Sequence, residues 1–361
     1  MKLFFVGGFL GSGKTTAIKA ATDLLCFEGR KKVAVITNDQ GKLLVDTRYI
    51  QRHIFPVQEV SNGCFCCRYH DMENKIRNLE DSDQPDIIFL ESVGSCADLV
   101  STVIHPLLQS YNGAIEIILS VFCDVRLLST YLESGKLVFN ENINYIFKKQ
   151  LEEADVIVIN KVDLLNEQEL ARVKKLTHRE FDGKSILFQN SLNPNNIENW
   201  IHNCEVDALL RQSPEIDYSI YGAGEADLAW LDGEIGIVCT ERNAVSAGCK
   251  LISTIYNSVL RDGFPIGHLK FLIDDGNQTR KISYTSIFQE ADPKPLLDFE
   301  AERIILIINA RIQAADYQLR GIISNAVLEV EESMRCKIIV SELDAFHPGF
   351  PQPTYRMHQA T

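Results

Sequence analysis

Gly8-Phe9-Leu10-Gly11-Ser12-Gly13-Lys14-Thr15 fits the spacing G-x-x-x-x-G-K-[ST], with a short apolar run at 3–6 before it and good helix formers at 16–25 after it. Glycines at this spacing let the backbone curl until several N–H groups point at phosphate oxygens, and the helix that follows adds the positive end of its dipole. Lys14 would reach the β- and γ-phosphates and the Thr15 hydroxyl can ligate Mg²⁺. Gly8, Gly11, Ser12, Gly13 and Thr16 complete the cradle. The stretch reads as the site of a nucleoside triphosphate.

Short runs rich in Val, Ile and Phe recur outward from this loop, at 3–6, 33–37, 55–60, 87–90, 115–122, 156–159 and 186–188, with patterned helical segments between most of them. Apolar on both faces and separated by helices, they predict the P-loop NTPase form of an α/β fold: a mostly parallel sheet with helices on both faces. The pattern breaks into Ser, Pro, Asp, Tyr and Gly near 212–224. Beyond it come strand candidates at 234–239, 268–273, 281–284 and 303–310. Helical patterns fall at 245–259 and 319–330. This predicts a smaller C-terminal α+β domain. The expected division is 1–212 for the nucleotide domain, 213–229 for a linker and 230–361 for the second domain, with an extended tail from Phe346.

With 45% hydrophobic residues the 361-residue chain can bury a large core, and 49 acidic against 36 basic residues give a net charge of −13. That balance argues against general nucleic-acid or anionic-membrane binding, which needs positive surface. Residues 213–361 hold the larger share of the acidic excess, as a solvated face that meets a client protein would. The opening apolar run is too short for a secretory signal, and no stretch approaches the ~18–20 apolar residues of a spanning helix. A cytoplasmic chain with reduced thiols is expected, in which clustered cysteines bind metal or do redox work.

Asn160-Lys161-Val162-Asp163 directly follows the run at 156–159. A carboxylate there accepts hydrogen bonds from N1–H and N2–H₂ of guanine, a donor pair adenine lacks, so the expected nucleotide is GTP. Ser191, after 186–188, is a further base-side candidate or an ordinary loop serine. Glu91 ends the run at 87–90 and is expected to hold Mg²⁺ or orient the attacking water. Gly94, three residues on, could offer its N–H to the γ-phosphate. Lys14 and Glu91 are thus the catalytic candidates.

Gly63-Cys64-Phe65-Cys66-Cys67 places three thiols within four residues. They can converge on one soft cation with a coordination position left open for release. Ordinary loop thiols or a redox pair are the other readings. His70, Asp71 and Cys96 are the nearby candidates for a fourth ligand. In a parallel sheet all strand carboxyl ends share one rim, so the phosphate loop, Asn38-Asp39, the cysteine loop, Glu91 and 160–163 should crowd together there.

These motifs, together with Ala97-Asp98 and Ala154-Asp155, resemble the CobW-type metallochaperone GTPases, relatives of the urease and hydrogenase accessory GTPases, over roughly residues 1–200. The resemblance implies GTP-hydrolysing delivery of zinc or cobalt to a client, with the family's Gly-Cys-x-Cys-Cys ligands falling on Cys64, Cys66 and Cys67. Two departures stand out. The loop after the second strand reads Asn38-Asp39-Gln40-Gly41-Lys42, where many members carry a second acid in place of Lys42. No His-rich tract is present. A second reading is a GTP-dependent switch that senses metal or thiol state without delivering anything. A phosphotransferase is disfavoured by the guanine-reading motif. Oligomeric state is left open, a homodimer included. Arg126 and His268 read as a surface helix residue and a hydrogen-bonded sheet histidine. Cys26, Cys123, Cys239, Cys249 and Cys336 read as core.

Overall fold

The computed structural model describes residues 1–27, 29, 31–38, 55–202, 213–285 and 299–357. The chain forms two compact units. The division falls after Gly224, and Phe350 onward returns to the first unit.

The first unit is a seven-stranded parallel sheet in the order β3-β2-β4-β1-β5-β6-β7. Its strands are β1 (Lys2–Gly8), β2 (Val33–Asn38), β3 (Val57–Val60), β4 (Ile87–Glu91), β5 (Glu116–Asp124), β6 (Val156–Asn160) and β7 (Ser185–Gln189). β1 lies between β4 and β5, with Val6 opposite Glu91 and Gly8 opposite Phe122. Alternation sends Phe4 and Val6 to one face, where they pack with helices Lys14–Phe27 and Pro194–His202. Trp200 anchors that face, its ring 5.0 Å from Phe122 and 5.8 Å from Phe89, with its indole N–H donated to Ser120 Oγ at 3.0 Å. Phe5 points the other way and meets Phe65 edge-on. The predicted α/β architecture is the one observed.

The second unit is a five-stranded antiparallel sheet ordered β10-β9-β11-β8-β12. It comprises β8 (Ala229–Val238), β9 (Ile266–Asp274), β10 (Thr279–Tyr284), β11 (Arg303–Ile312) and β12 (Lys337–Phe346). Helices Ala244–Arg261 and Asp316–Met334 share a core with alternate strand residues such as Leu231, Ile235, Leu306 and Ile308. His268 is buried with Nε2 2.9 Å from Asn309 Oδ1, the sheet histidine expected.

Four readings change. β12 was not anticipated. Among the described residues it is an edge strand paired only with β8, and its exposed positions carry no clean apolar alternation. The segment read as a linker contains helix Tyr218–Ala226. The tail does not stay with the C-terminal sheet, because residues 350–357 hydrogen-bond into the first unit. Cys26 is exposed, since it sits in the last helical turn past the buried stripe, and Cys336 is only half-buried. None of the nine described cysteines is paired in a disulfide.

Candidate nucleotide and metal site

β1 ends at Gly8 with φ 117°, a conformation open to glycine, and a Cβ there would meet Phe122 O at 2.1 Å. The chain turns at that point through the phosphate loop into the helix that begins at Lys14. Gly13 is similarly constrained, with φ 93° and Asn160 Nδ2 2.4 Å from where a Cβ would stand. Lys14 is buried, its ammonium donating to the carbonyls of Gly8 (2.8 Å) and Phe9 (3.3 Å). Ser12 Oγ is buried with no protein partner among the described residues, an orphaned hydroxyl inside a loop whose glycines leave room for phosphate.

Glu91, at the end of β4, accepts a hydrogen bond from Thr15 Oγ1 at 2.8 Å, and both groups are buried. A hydroxyl and a carboxylate brought together beside the phosphate loop are the hard oxygen donors that suit Mg²⁺. On the other side, Asn160 Nδ2 donates to Ser12 O (2.9 Å), and its Oδ1 accepts from Ser191 N (3.0 Å) and Ser191 Oγ (2.8 Å). Lys161 Nζ donates to Gly11 O at 2.7 Å and pairs with Asp124 at 2.9 Å. Asn160 and Lys161 therefore brace the phosphate loop directly, and Ser191 does so through Asn160. Asp163 stands exposed in the turn Val162–Leu164.

Asp124 is a residue the sequence reading missed, because β5 runs two residues past the apolar stretch that predicted it. It caps the next helix, accepting from Arg126 N, and forks with the Arg126 guanidinium at 3.0 and 2.7 Å. Arg126 and Lys161 hold its carboxyl below the usual range despite the opposing pull of burial. Arg126 is consequently tied into this network and is not a free surface residue.

The cysteine loop is seated from both ends. Asn38, the last residue of β2, donates from Nδ2 to Val60 O (3.0 Å) and Gly63 O (2.7 Å) and accepts from Phe65 N (2.9 Å). Phe65 is fully buried against Phe5, which anchors the loop between the thiols. The Asp39–Lys42 segment lies outside the described residues. Cys64, Cys66 and Cys67 bring their sulfurs within 4.8 Å of one another, with Cys64 2.8 Å from Cys66 and 3.3 Å from Cys67, and 3.8 Å between Cys66 and Cys67. Hydrogen bonds shared with Cys66 and then Cys67 pull Cys64 well below the ordinary thiol range. The same hydrogen bond to Cys64 holds Cys66 well above it and pushes Cys67 up to about 11. Three sulfurs brought together in one loop form a soft donor set of the kind that suits zinc. Because Asn38 holds the loop through its backbone and not through the sulfurs, Asn38→Ala is expected, if the trio holds zinc, to weaken Zn²⁺ binding by roughly 10–100-fold. Competition with a chromogenic chelator measures this, and unchanged affinity would remove Asn38 from that role.

The returning tail crosses this loop. Gln352 N lies 3.2 Å from Cys67 Sγ, Thr354 N donates to Cys66 O at 2.9 Å, and Tyr355 packs edge-on against Tyr69 and His70. Arg356 pairs with buried Asp98 at 3.3 Å, Tyr218 donates to the same carboxylate at 2.7 Å, and Met357 N donates to Ser101 O. None of these tail residues has a sequence signal that would mark it.

Glu153 is buried beside Asp98, accepting from Val100 N, and burial followed by the nearby Asp98 charge pushes its pKa well above the ordinary value. A carboxyl with a raised folded pKa favours the folded state at low pH and loses that contribution as pH rises through the folded value. Glu153→Gln should therefore raise the melting temperature at pH 8 and leave it nearly unchanged at pH 4. An equal shift at both pH values would contradict a buried neutral carboxyl.

A Gly-rich loop running from strand to helix, a carboxylate on the adjacent strand and a bracing Asn-Lys pair define a P-loop nucleotide-binding protein, here with a thiol cluster on the same rim. The family model for the CobW/HypB/UreG nucleotide-binding domain matches residues 2–188, and the chain belongs to that family. It is 29% identical over 191 residues to the zinc chaperone YjiA of Escherichia coli (strain K12), covering 48% of this chain and 57% of that protein. It is 26% identical over 226 residues to zinc-regulated GTPase metalloprotein activator 1 of Dictyostelium discoideum, covering 52% and 46%. The chain thus spans about half the length of the curated relatives it matches. A solved structure of HypB from Helicobacter pylori in complex with nickel covers 55% of this chain and 82% of its own, with 18% identity and a TM-score of 0.37. No helix among the described residues is long and apolar enough to cross a membrane.

Proposed function

We propose that the chain is a GTP-hydrolysing metallochaperone that carries zinc or cobalt as cargo on Cys64, Cys66 and Cys67 and passes it to a client protein in a nucleotide-gated step. The observation that carries this reading is the convergence of three thiol sulfurs within 4.8 Å, on the rim that also bears the phosphate loop. In this reading Gly8, Gly11, Ser12, Gly13, Lys14, Thr15 and Thr16 hold the phosphates. Asn160 and Lys161 brace them, Asp163 reads guanine, and Ser191 supports the base side. Thr15 and Glu91 would hold Mg²⁺, which when bound neutralises phosphate charge. Lys14 stabilises charge developing on the phosphates, and Glu91 places the attacking water. The names of the zinc-chaperone relatives agree with this assignment.

Zn²⁺ titration of the full chain with Mg²⁺–GDP and with a non-hydrolysable GTP analogue tests the gating. Coupling between two sites typically amounts to about 5–150-fold in affinity, so the two nucleotide states should differ by at least ~5-fold. Identical affinities would sink gated delivery.

A further inference from the structure

The segment leaving β4 runs Glu91-Ser92-Val93-Gly94-Ser95-Cys96, so four residues separate the carboxylate beside the phosphate loop from a thiol. Cys96 is a buried cysteine, 1% exposed. Its side chain is hydrogen-bonded to both Cys64 and Cys66. The segment is held in shape by Cys96 N donating to Val93 O (3.0 Å) and by Gln150 Nε2 donating to Gly94 O (3.1 Å) and Cys96 O (2.8 Å). At its other end Gly94 presses on the phosphate loop so closely that a Cβ would meet Leu10 Cδ2 at 2.6 Å. One short stretch therefore touches the nucleotide cradle and the thiol trio.

A divalent cation in a tetrahedron of thiolates sits about 2.3 Å from each sulfur, which places neighbouring sulfurs about 3.8 Å apart. Cys66 and Cys67 already have that separation, and Cys64 is somewhat closer to each. The trio supplies three corners. Of the neighbouring groups that could supply the fourth, His70 is engaged with Tyr355, its Nε2 3.5 Å from the phenol, and Asp71 is paired with Lys75 at 3.8 Å. Cys96 touches two of the three sulfurs but stands outside the set in which every pair lies within 4.8 Å. Movement of its loop toward Cys67 would close the fourth corner.

We propose that Cys96 is the fourth thiolate of the metal site, and that the 91–96 segment carrying it makes the number of thiolates depend on the bound nucleotide. This rests on reading the trio as a metal site. Each thiol that binds the divalent cation releases its proton to solvent. With the segment drawn toward the trio, the cargo is enclosed by Cys64, Cys66, Cys67 and Cys96. With the segment displaced when the γ-phosphate is lost, three thiolates remain and the fourth position opens to a client ligand.

The test uses Co²⁺ in place of Zn²⁺, because sulfur-to-cobalt charge-transfer absorption scales with the number of bound thiolates. The full chain, Cys96→Ser and Cys96→Ala are titrated with CoCl₂ in Mg²⁺–GDP and in a non-hydrolysable GTP analogue, with melting temperature checking that each variant folds. The near-isosteric serine keeps the buried position filled if alanine destabilises the chain. In the nucleotide state that closes the site, Cys96→Ser should lose about a quarter of the charge-transfer intensity and bind roughly 10²-fold more weakly. Its spectra in the two nucleotide states should also become the same. Spectra and affinities that superimpose on wild type in both states would overturn the proposal. A lower intensity with the nucleotide difference intact would overturn its link to the nucleotide. Absence of any charge-transfer band in wild type would instead refute the trio as a metal site, a failure distinct from that of Cys96.

Discussion

Cys66→Ser is expected to weaken Zn²⁺ binding by about 10²–10³-fold. A thiolate-rich zinc site has an apparent binding free energy of roughly 10–16 kcal/mol, so one ligand among three or four corresponds to about 3–4 kcal/mol. Cys66 is the variant of choice because it is fully buried, contacts both Cys64 and Cys67, and has its backbone carbonyl held by Thr354 N. Serine preserves shape and a hydrogen-bonding group, so the loop seated by Asn38 and Phe65 should persist and GTP binding should change little. Chelator competition and a nucleotide-binding assay on the same sample separate the two effects. Retained zinc affinity would show that the cluster is not the cargo site, and joint loss of zinc and GTP binding would indicate a damaged fold.

The second large effect concerns the base. Asp163→Asn should weaken GTP by about 10²-fold and favour xanthosine triphosphate. Two charge-assisted hydrogen bonds at roughly 1.5–3 kcal/mol each are at stake, and the exposure of Asp163 puts the loss at the low end of their sum. An asparagine can accept from N1–H and donate to the 2-oxo group of xanthine, which restores the pairing. Displacement of a fluorescent nucleotide by GTP and by xanthosine triphosphate measures the ratio. If the ratio matches that of wild type, Asp163 does not read the base.

The parallel sheet was legible because its strands are buried on both faces, and runs such as 87–90 and 156–159 are apolar without interruption. The phosphate loop was legible because its function requires glycine at fixed positions: Gly8 and Gly13 have positive φ and no space for a Cβ. Edges and ends were harder to read. β12 borders solvent on one side, so its residues need not alternate. Asp124 lies past the apolar run that announces β5. Cys26 falls in a helical turn whose neighbours are apolar in sequence but face outward at the helix end.

The sequence by itself determined the chemistry available: the phosphate loop, the Asn-Lys-x-Asp stretch and three thiols in one short loop, each encoded by residue type and spacing within a few positions. Tertiary structure decided which of these groups meet. Asn38 fastens a cysteine loop 25 residues on, Asn160 donates to Ser12 across 148 residues, and Gln352 reaches Cys67 across 285. Such pairings depend on strand order and on where the chain returns. A parallel sheet that places β1 between β4 and β5 brings carboxyl ends together whatever their separation in sequence. For that reason Cys96, one of three nearby candidates for a fourth ligand in the linear chain, stands against the cluster in the folded one.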